Sequence, residues 1–146
     1  MSFRSDLDKD NSISLYKYLG EELDVKKNSP LLLDESFVKV SFLDLETTGL
    51  DFEKDEIIEI GIRTIAVNRT NYAEYSAVKA YESYNDTDIE LDDEITQLTG
   101  ITKNMIEGKK IDWSKVEDVM NTSDIIVAHN ASFDRHFLGK NIDFKN

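Results

Sequence analysis

The sequence predicts a layered α/β domain, a mixed sheet flanked by helices. Three observations predict it. Apolar runs with strand character come first, between residues 37 and 81. Helical spacings follow from residue 89 onward. One further short apolar run, residues 124–128, lies among those helices. Strands followed by helices with a strand interleaved fit a sheet covered by helices better than a bundle or a sandwich.

Residues 37–46 (FVKVSFLDLE) read as the first strand of that sheet. Side chains alternate along a strand, so Val38, Val40 and Phe42 share a face with Asp44 and Glu46, and Leu43 and Leu45 take the other. Apolar residues on both faces predict an interior strand covered on both sides. Residues 56–67 form a second strand and residues 72–81 a third. The third runs antiparallel because the turn residues Asn68 to Asn71 leave only a short connection. Residues 89–107 read as helical, broken at Gly100, with Thr102 capping a second short helix that carries Met105 and Ile106. Trp113, Val116 and Met120 fall at helical spacing and predict a core-facing helix. Residues 124–128 predict a short buried strand, and a helix starts at Ala131 and runs through Phe137. That helix is little longer than two turns before Asn146, so one sheet face is predicted to be poorly covered and the fold C-terminally incomplete. Residues 1–35 are read as an appendage without an assigned role, in which Ile13, Leu15, Tyr16 and Leu19 predict a short helix ending at Gly20.

Composition narrows the function classes. Hydrophobic residues make up 40% of the 146, enough for a packed core. There is no cysteine, hence no disulfide framework or zinc–thiolate site. No apolar stretch reaches bilayer length and the first residues do not read as a secretory leader, so a cytoplasmic chain with no membrane partner is expected. A net charge of −13 weighs against a tight non-specific grip on phosphate backbones. It leaves open a site where bound cations face the phosphate.

Asp44 and Glu46 carry the sharpest chemical signal. Two residues apart on a strand, they project from the same face at the end of an apolar segment. Like charges side by side are costly unless a cation or proton separates them. A hard divalent cation with oxygen ligands answers that need, and Mg²⁺ takes one or two carboxylates plus water and phosphate. Thr47-Thr48-Gly49 follows as a small turn whose amides could approach a ligand. Two solvated acids at a strand end explain the pair equally well when it is taken alone. The second cluster is residues 125–134 (IIVAHNASFD), a strand running into His129-Asn130 and then a helix bearing Asp134. Strand-to-helix junctions are where α/β sheets bind ligands. An acid on the first helical turn is also favoured by the helix dipole alone. His129 reads more readily as a packed or hydrogen-bonded histidine than as a catalytic one, and His136 as a surface residue.

FLDLETTGL (42–50) with EIIEIG (56–61) resembles the first exonuclease motif of the DEDD (DnaQ-like) superfamily of 3′→5′ exonucleases. IIVAHNASFD (125–134) resembles the second, and LTGIT (98–102) resembles a segment typical of the proofreading epsilon-subunit type of bacterial DNA polymerase III. Order and spacing agree over roughly residues 36–146. The resemblance implies a ribonuclease-H-like fold and phosphodiester hydrolysis with two divalent ions, Mg²⁺ or Mn²⁺. It implies that Asp44 bridges both ions, that Glu46 binds one, and that Asp134 completes the cluster largely through water. The backbone of Thr47 and Thr48 and the side chain of Leu50 would meet the 3′-terminal nucleotide, with Asn130 and Phe133 shaping the pocket. The implied partners are a single-stranded or 3′-end nucleic acid, DNA favoured over RNA, and a DNA polymerase subunit. The family's third motif, with a fourth carboxylate and a histidine or tyrosine base, has no counterpart before Asn146. The expectation is therefore an exonuclease domain truncated before that motif and impaired as it stands. The alternative is a non-catalytic module that keeps the fold and binds a nucleic-acid end or a polymerase.

Overall fold

The structure is a computed structural model and describes residues 2–7, 13–18 and 29–143. Strands β1 (Ser2–Leu7) and β2 (Ile13–Tyr18) pair antiparallel as a two-stranded sheet. This corrects the helix expected around Ile13, Leu15 and Tyr16. In ISLYKY the apolar and polar residues alternate at Ile13, Ser14 and Leu15, and a short run of this kind serves either period. Pairing with a second strand selects the extended one. Leu19 and Gly20 lie outside the described residues.

The main sheet has four strands in the order β5-β4-β3-β6: β3 (Phe37–Thr47), β4 (Ile57–Asn68), β5 (Tyr75–Tyr84) and β6 (Ile125–Ala128). Strand β6 runs parallel to β3, and the other pairs are antiparallel. The connection between β5 and β6 holds helices α1 (Asp93–Thr99), α2 (Lys103–Ile106) and α3 (Trp113–Thr122), and α4 (Ala131–Leu138) follows β6. Gly100 ends α1 in the left-handed conformation at φ 75°, which accounts for the helical break there. Strand β5 starts later than expected because Asn68 builds a wider turn. Its side-chain oxygen accepts from the Thr70 and Asn71 amides, and its amide group donates to Glu74.

Helices α3 and α4 cover one face of the sheet. Leu43, Leu45, Ile60 and Ile62 pack there against Val116, Val119, Phe137 and Leu138. Phe37, Ala66 and Val78 form a second cluster under Leu31 and Leu32, which belong to a 3₁₀ turn at Pro30–Leu32. Ile58, Ile101 and Ile106 form a third beneath the α1–α2 corner. The buried face of β3 also contains Ser41, whose hydroxyl bonds Thr64 at 2.7 Å and Ser123 at 2.6 Å, so its polarity is satisfied inside the core. Among the described residues, no helix is long and apolar enough to cross a membrane.

The opposite face is poorly covered among the described residues, as expected for one face of the sheet, which overturns the separate reading of β3 as covered on both sides. Strand β3 is interior, as expected, but only one of its faces is covered among the described residues. Phe42 is 46% exposed, and its neighbours on β6, Ile125 and Val127, are 50% and 39% exposed. Strand β6, expected to be buried, is an edge strand here, uncharged and apolar. Such an edge is prone to further pairing, and a contiguous apolar face drives association. Sedimentation velocity should therefore show concentration-dependent self-association of the purified chain. Val127→Lys should reduce it with little loss of thermal stability, because the side chain replaced is not in the core. A wild-type chain that stays monomeric across the whole concentration range would contradict this reading of the face.

Candidate active site

Strand β3 delivers Asp44 and Glu46 to the open face of the sheet, at the end where the ladder with β4 shifts register between Glu46 and Thr47. A bulge of this kind re-aims side chains and frees a strand end from strict pairing. The Thr47–Asp55 turn that follows is stapled. Thr48 donates its amide to the Glu56 carbonyl at 2.9 Å, its hydroxyl bonds the Asp55 carboxylate at 3.0 Å, and Thr47 donates its hydroxyl to the Gly49 carbonyl at 2.6 Å. The Asp55 carboxylate also accepts from the Asp51 amide at 2.8 Å. Gly49 leaves room for this staple, since a Cβ there would come within 2.7 Å of the Asp55 carboxyl carbon and push that side chain aside. Because the Thr48 amide is already bonded, it is not a free donor for a ligand. The turn instead projects Leu50 outward, 84% exposed.

Helix α4 brings Asp134 alongside. Asp134 is buried on the first turn, its amide donating to the carbonyl of Asn130, the N-cap residue, at 3.1 Å, and the backbone N–H groups of Asp134 and Asn130 favour its ionised form. Burial nevertheless raises its pKa above the usual carboxylate range, and the charge of Asp44 adds to the rise. His129, exposed just before the helix, acts weakly in the opposite sense. Asn130 is exposed and its side chain makes no capping bond. Phe133 is half-buried and packs at 4.7 Å against the Phe137 ring, so it serves the core as well as any pocket. His136 lies on the outer side of α4, its Nδ1 donating to the Ser132 carbonyl at 2.6 Å.

The sequence reading missed two further acids. Strand β4 places Glu59 directly opposite Glu46, and β5 places Glu82 beside it. Glu59 accepts a hydrogen bond from the Tyr84 hydroxyl. Burial, then Asp44, then Glu59 raise the pKa of Glu46, while burial and then Glu82 raise that of Glu59. A lone acid between Ile58 and Ile60 was the available signal, but only the strand register shows which acid it faces.

The donor set suits a hard divalent cation, being all carboxylate oxygen with excess negative charge left uncompensated. Assembly is partial, however. Among the described residues, no three acid or imidazole side chains stand close enough to form a cage for one ion. Asp134 lies near enough to Asp44 to feel its charge.

The raised pKa of Glu46 fixes a sign. Folding favours its protonated form, so that contribution to stability is present below the unfolded pKa and is lost as pH rises through the folded one. In a chelating buffer, Glu46→Gln should therefore melt above wild type at neutral pH. The gap should close near about pH 4, where the unfolded carboxyl itself takes up a proton. Thermal melting followed by circular dichroism reads this, and a gap independent of pH would refute it.

Residues 41–145 match a family model described as Exonuclease. The DNA polymerase III PolC-type of Thermotoga petrophila is 38% identical over 116 residues, which cover 74% of this chain and 8% of that protein. The 3′-5′ exonuclease DinG of Staphylococcus saprophyticus is 36% identical over 100 residues, which cover 67% of this chain and 10% of that protein. The chain thus spans a tenth or less of the length of these curated relatives. Exonuclease I from Methylocaldum szegediense superposes with a TM-score of 0.54 at 16% identity, over 68% of this chain and 22% of that one, a likeness of fold. The family match takes in both the β3 end carrying Asp44 and Glu46 and the helix carrying Asp134, and the chain belongs to this exonuclease family.

Proposed function

We propose that this domain hydrolyses phosphodiester bonds from the 3′ end of a single DNA strand, using two divalent cations, Mg²⁺ or Mn²⁺, held by Asp44, Glu46 and Asp134. The observation that supports this best is the pair at the end of β3. Glu46 is driven toward protonation by burial and by Asp44 on an open sheet face, with Asp134 brought alongside. Cations bound there supply activation of a water and charge stabilisation on the oxygens of an in-line displacement. The protein's own residues position the substrate. The stapled turn presents Leu50 to the terminal nucleotide, with the backbone of Thr47 and Thr48 beneath it as a surface rather than through the Thr48 amide, which Glu56 holds, and Asn130 and Phe133 flank it from the start of α4. The preference for DNA rests on the PolC-type relatives, which are DNA polymerases by name. A polymerase partner follows from the same relatives and has the same standing.

Two groups that the reaction requires are missing from this constellation. The chain has two histidines, and His136 is engaged with Ser132. No tyrosine follows Tyr84, and among the described residues Asp143, the acid that follows Asp134, forms no metal-holding group with the others. A positioned base contributes about 10²–10⁴-fold in rate. The 146-residue chain with Mg²⁺ should therefore release few or no nucleotides from a 5′-labelled single-stranded oligonucleotide. A longer product of the same reading frame that carries both groups should give a descending ladder. Asp44→Ala, Glu46→Ala or Asp134→Ala should abolish that ladder. Robust degradation by the 146-residue chain would show that the missing groups are not needed. A longer product that binds 3′ ends but cuts neither DNA nor RNA would favour a non-catalytic end-binding or polymerase-binding module.

A further inference from the structure

A concavity of about 760 Å³ is lined by Phe52, Glu53, Arg135, His136, Lys140 and Asp143. Its two walls continue the two segments that carry the proposed site. One is the turn after Leu50, and the other is the outer side of α4 after Asp134. The Phe52 and His136 rings stack across it, with centroids 4.8 Å apart and planes 23° from parallel. Lys140 stands at its edge. Five other described lysines, Lys39, Lys54, Lys79, Lys103 and Lys115, are each paired with an aspartate, and Lys109 and Lys110 are in none of these pairs. Lys140 is held by the Asp55 carbonyl at 3.4 Å and by the Phe137 ring at 5.9 Å, with no carboxylate in ion-pair range among the described residues. In a chain of net charge −13, the concavity sets two cations, Arg135 and Lys140, against two acids, Glu53 and Asp143, beside an exposed aromatic pair, so it is locally near neutral rather than acidic. That balance limits the number of phosphates it can hold.

We infer that this concavity takes the strand behind the 3′-terminal nucleotide. The Phe52–His136 pair offers a face for a base, and Lys140 meets one phosphate. Aromatic faces joined to a basic groove are how single strands are held without regard to sequence. The inference rests on the exonuclease reading for where the 3′ end lies. It adds residues that the motifs do not include.

Fluorescence anisotropy with a labelled oligo(dT) about 12 nucleotides long, in a chelating buffer over a range of salt, tests it. Phe52→Ala should weaken binding by on the order of tenfold. Lys140→Gln should lower the slope of log affinity against log salt by about 0.7, the value for one phosphate contact on a single strand. Lys140→Arg should restore that slope, and Phe52→Tyr should restore affinity, which separates contact from folding. If wild type binds oligo(dT) and both variants bind it with the same affinity and slope, the concavity is not the path of the strand and the exonuclease reading stands. If wild type binds no oligo(dT) at low salt, with or without Mn²⁺, both readings fall.

Discussion

Two carboxylates two residues apart on one strand face repel each other, and partial burial adds to the cost of charging Glu46 unless a counter-charge is near. That constraint organises the rest of the molecule. Asp44 and Glu46 stand at the end of β3, where a register shift loosens the ladder, and Glu59 faces Glu46 from the next strand. Like charges opposed across a sheet are destabilising. Burial then lifts Glu46, Glu59 and Asp134 together above the usual carboxylate range. A fold selected for stability alone would not concentrate acids there. The cost makes sense where a divalent cation relieves it, and the family to which the chain belongs is one of exonucleases.

The site and the open sheet face are one surface. Val38, Val40 and Phe42 share the face of β3 that carries Asp44 and Glu46, and β6 extends it with Ile125 and Val127. The covered face carries Lys39 and Ser41 at the same stretch of strand. So over residues 38–42 the apolar side chains of β3 take the open face and the polar ones are buried, whereas over residues 43–46 the order is the usual one, with Leu43 and Leu45 inside. The polar side chains succeed inside because Ser41, Thr64 and Ser123 satisfy one another and Lys39 reaches the Asp34 carbonyl. The open face has no described cover. Whatever occupies it would also approach Asp44 and Glu46, so protection of the sheet and completion of the acidic site are physically linked.

Much of this was legible in the sequence. The α/β class, the interior position of β3, the Gly100 break and the helix from Ala131 all follow from periodicity and turn chemistry. The Asp44–Glu46 pairing follows from the two-residue period of a strand. Other features depend on tertiary pairing, which a sequence does not display. Ile13–Tyr18 became a strand because it found a partner strand. Strand β6 was read as buried because apolar composition does not reveal whether a neighbour covers it. Glu59 joined the acids only through the β3–β4 register, and the Thr48 amide was lost to Glu56 through a turn whose staple, Asp55, carries no sequence mark of its role.

The central claim is that Asp44 and Glu46 share a cation. Titration of the purified chain with Mn²⁺ by isothermal calorimetry tests it most directly. The account predicts weak, saturable binding that Asp44→Ala abolishes and Glu46→Gln reduces, while Glu94→Gln on the exposed side of α1 leaves it unchanged. Equal Mn²⁺ binding by wild type and Asp44→Ala would contradict it.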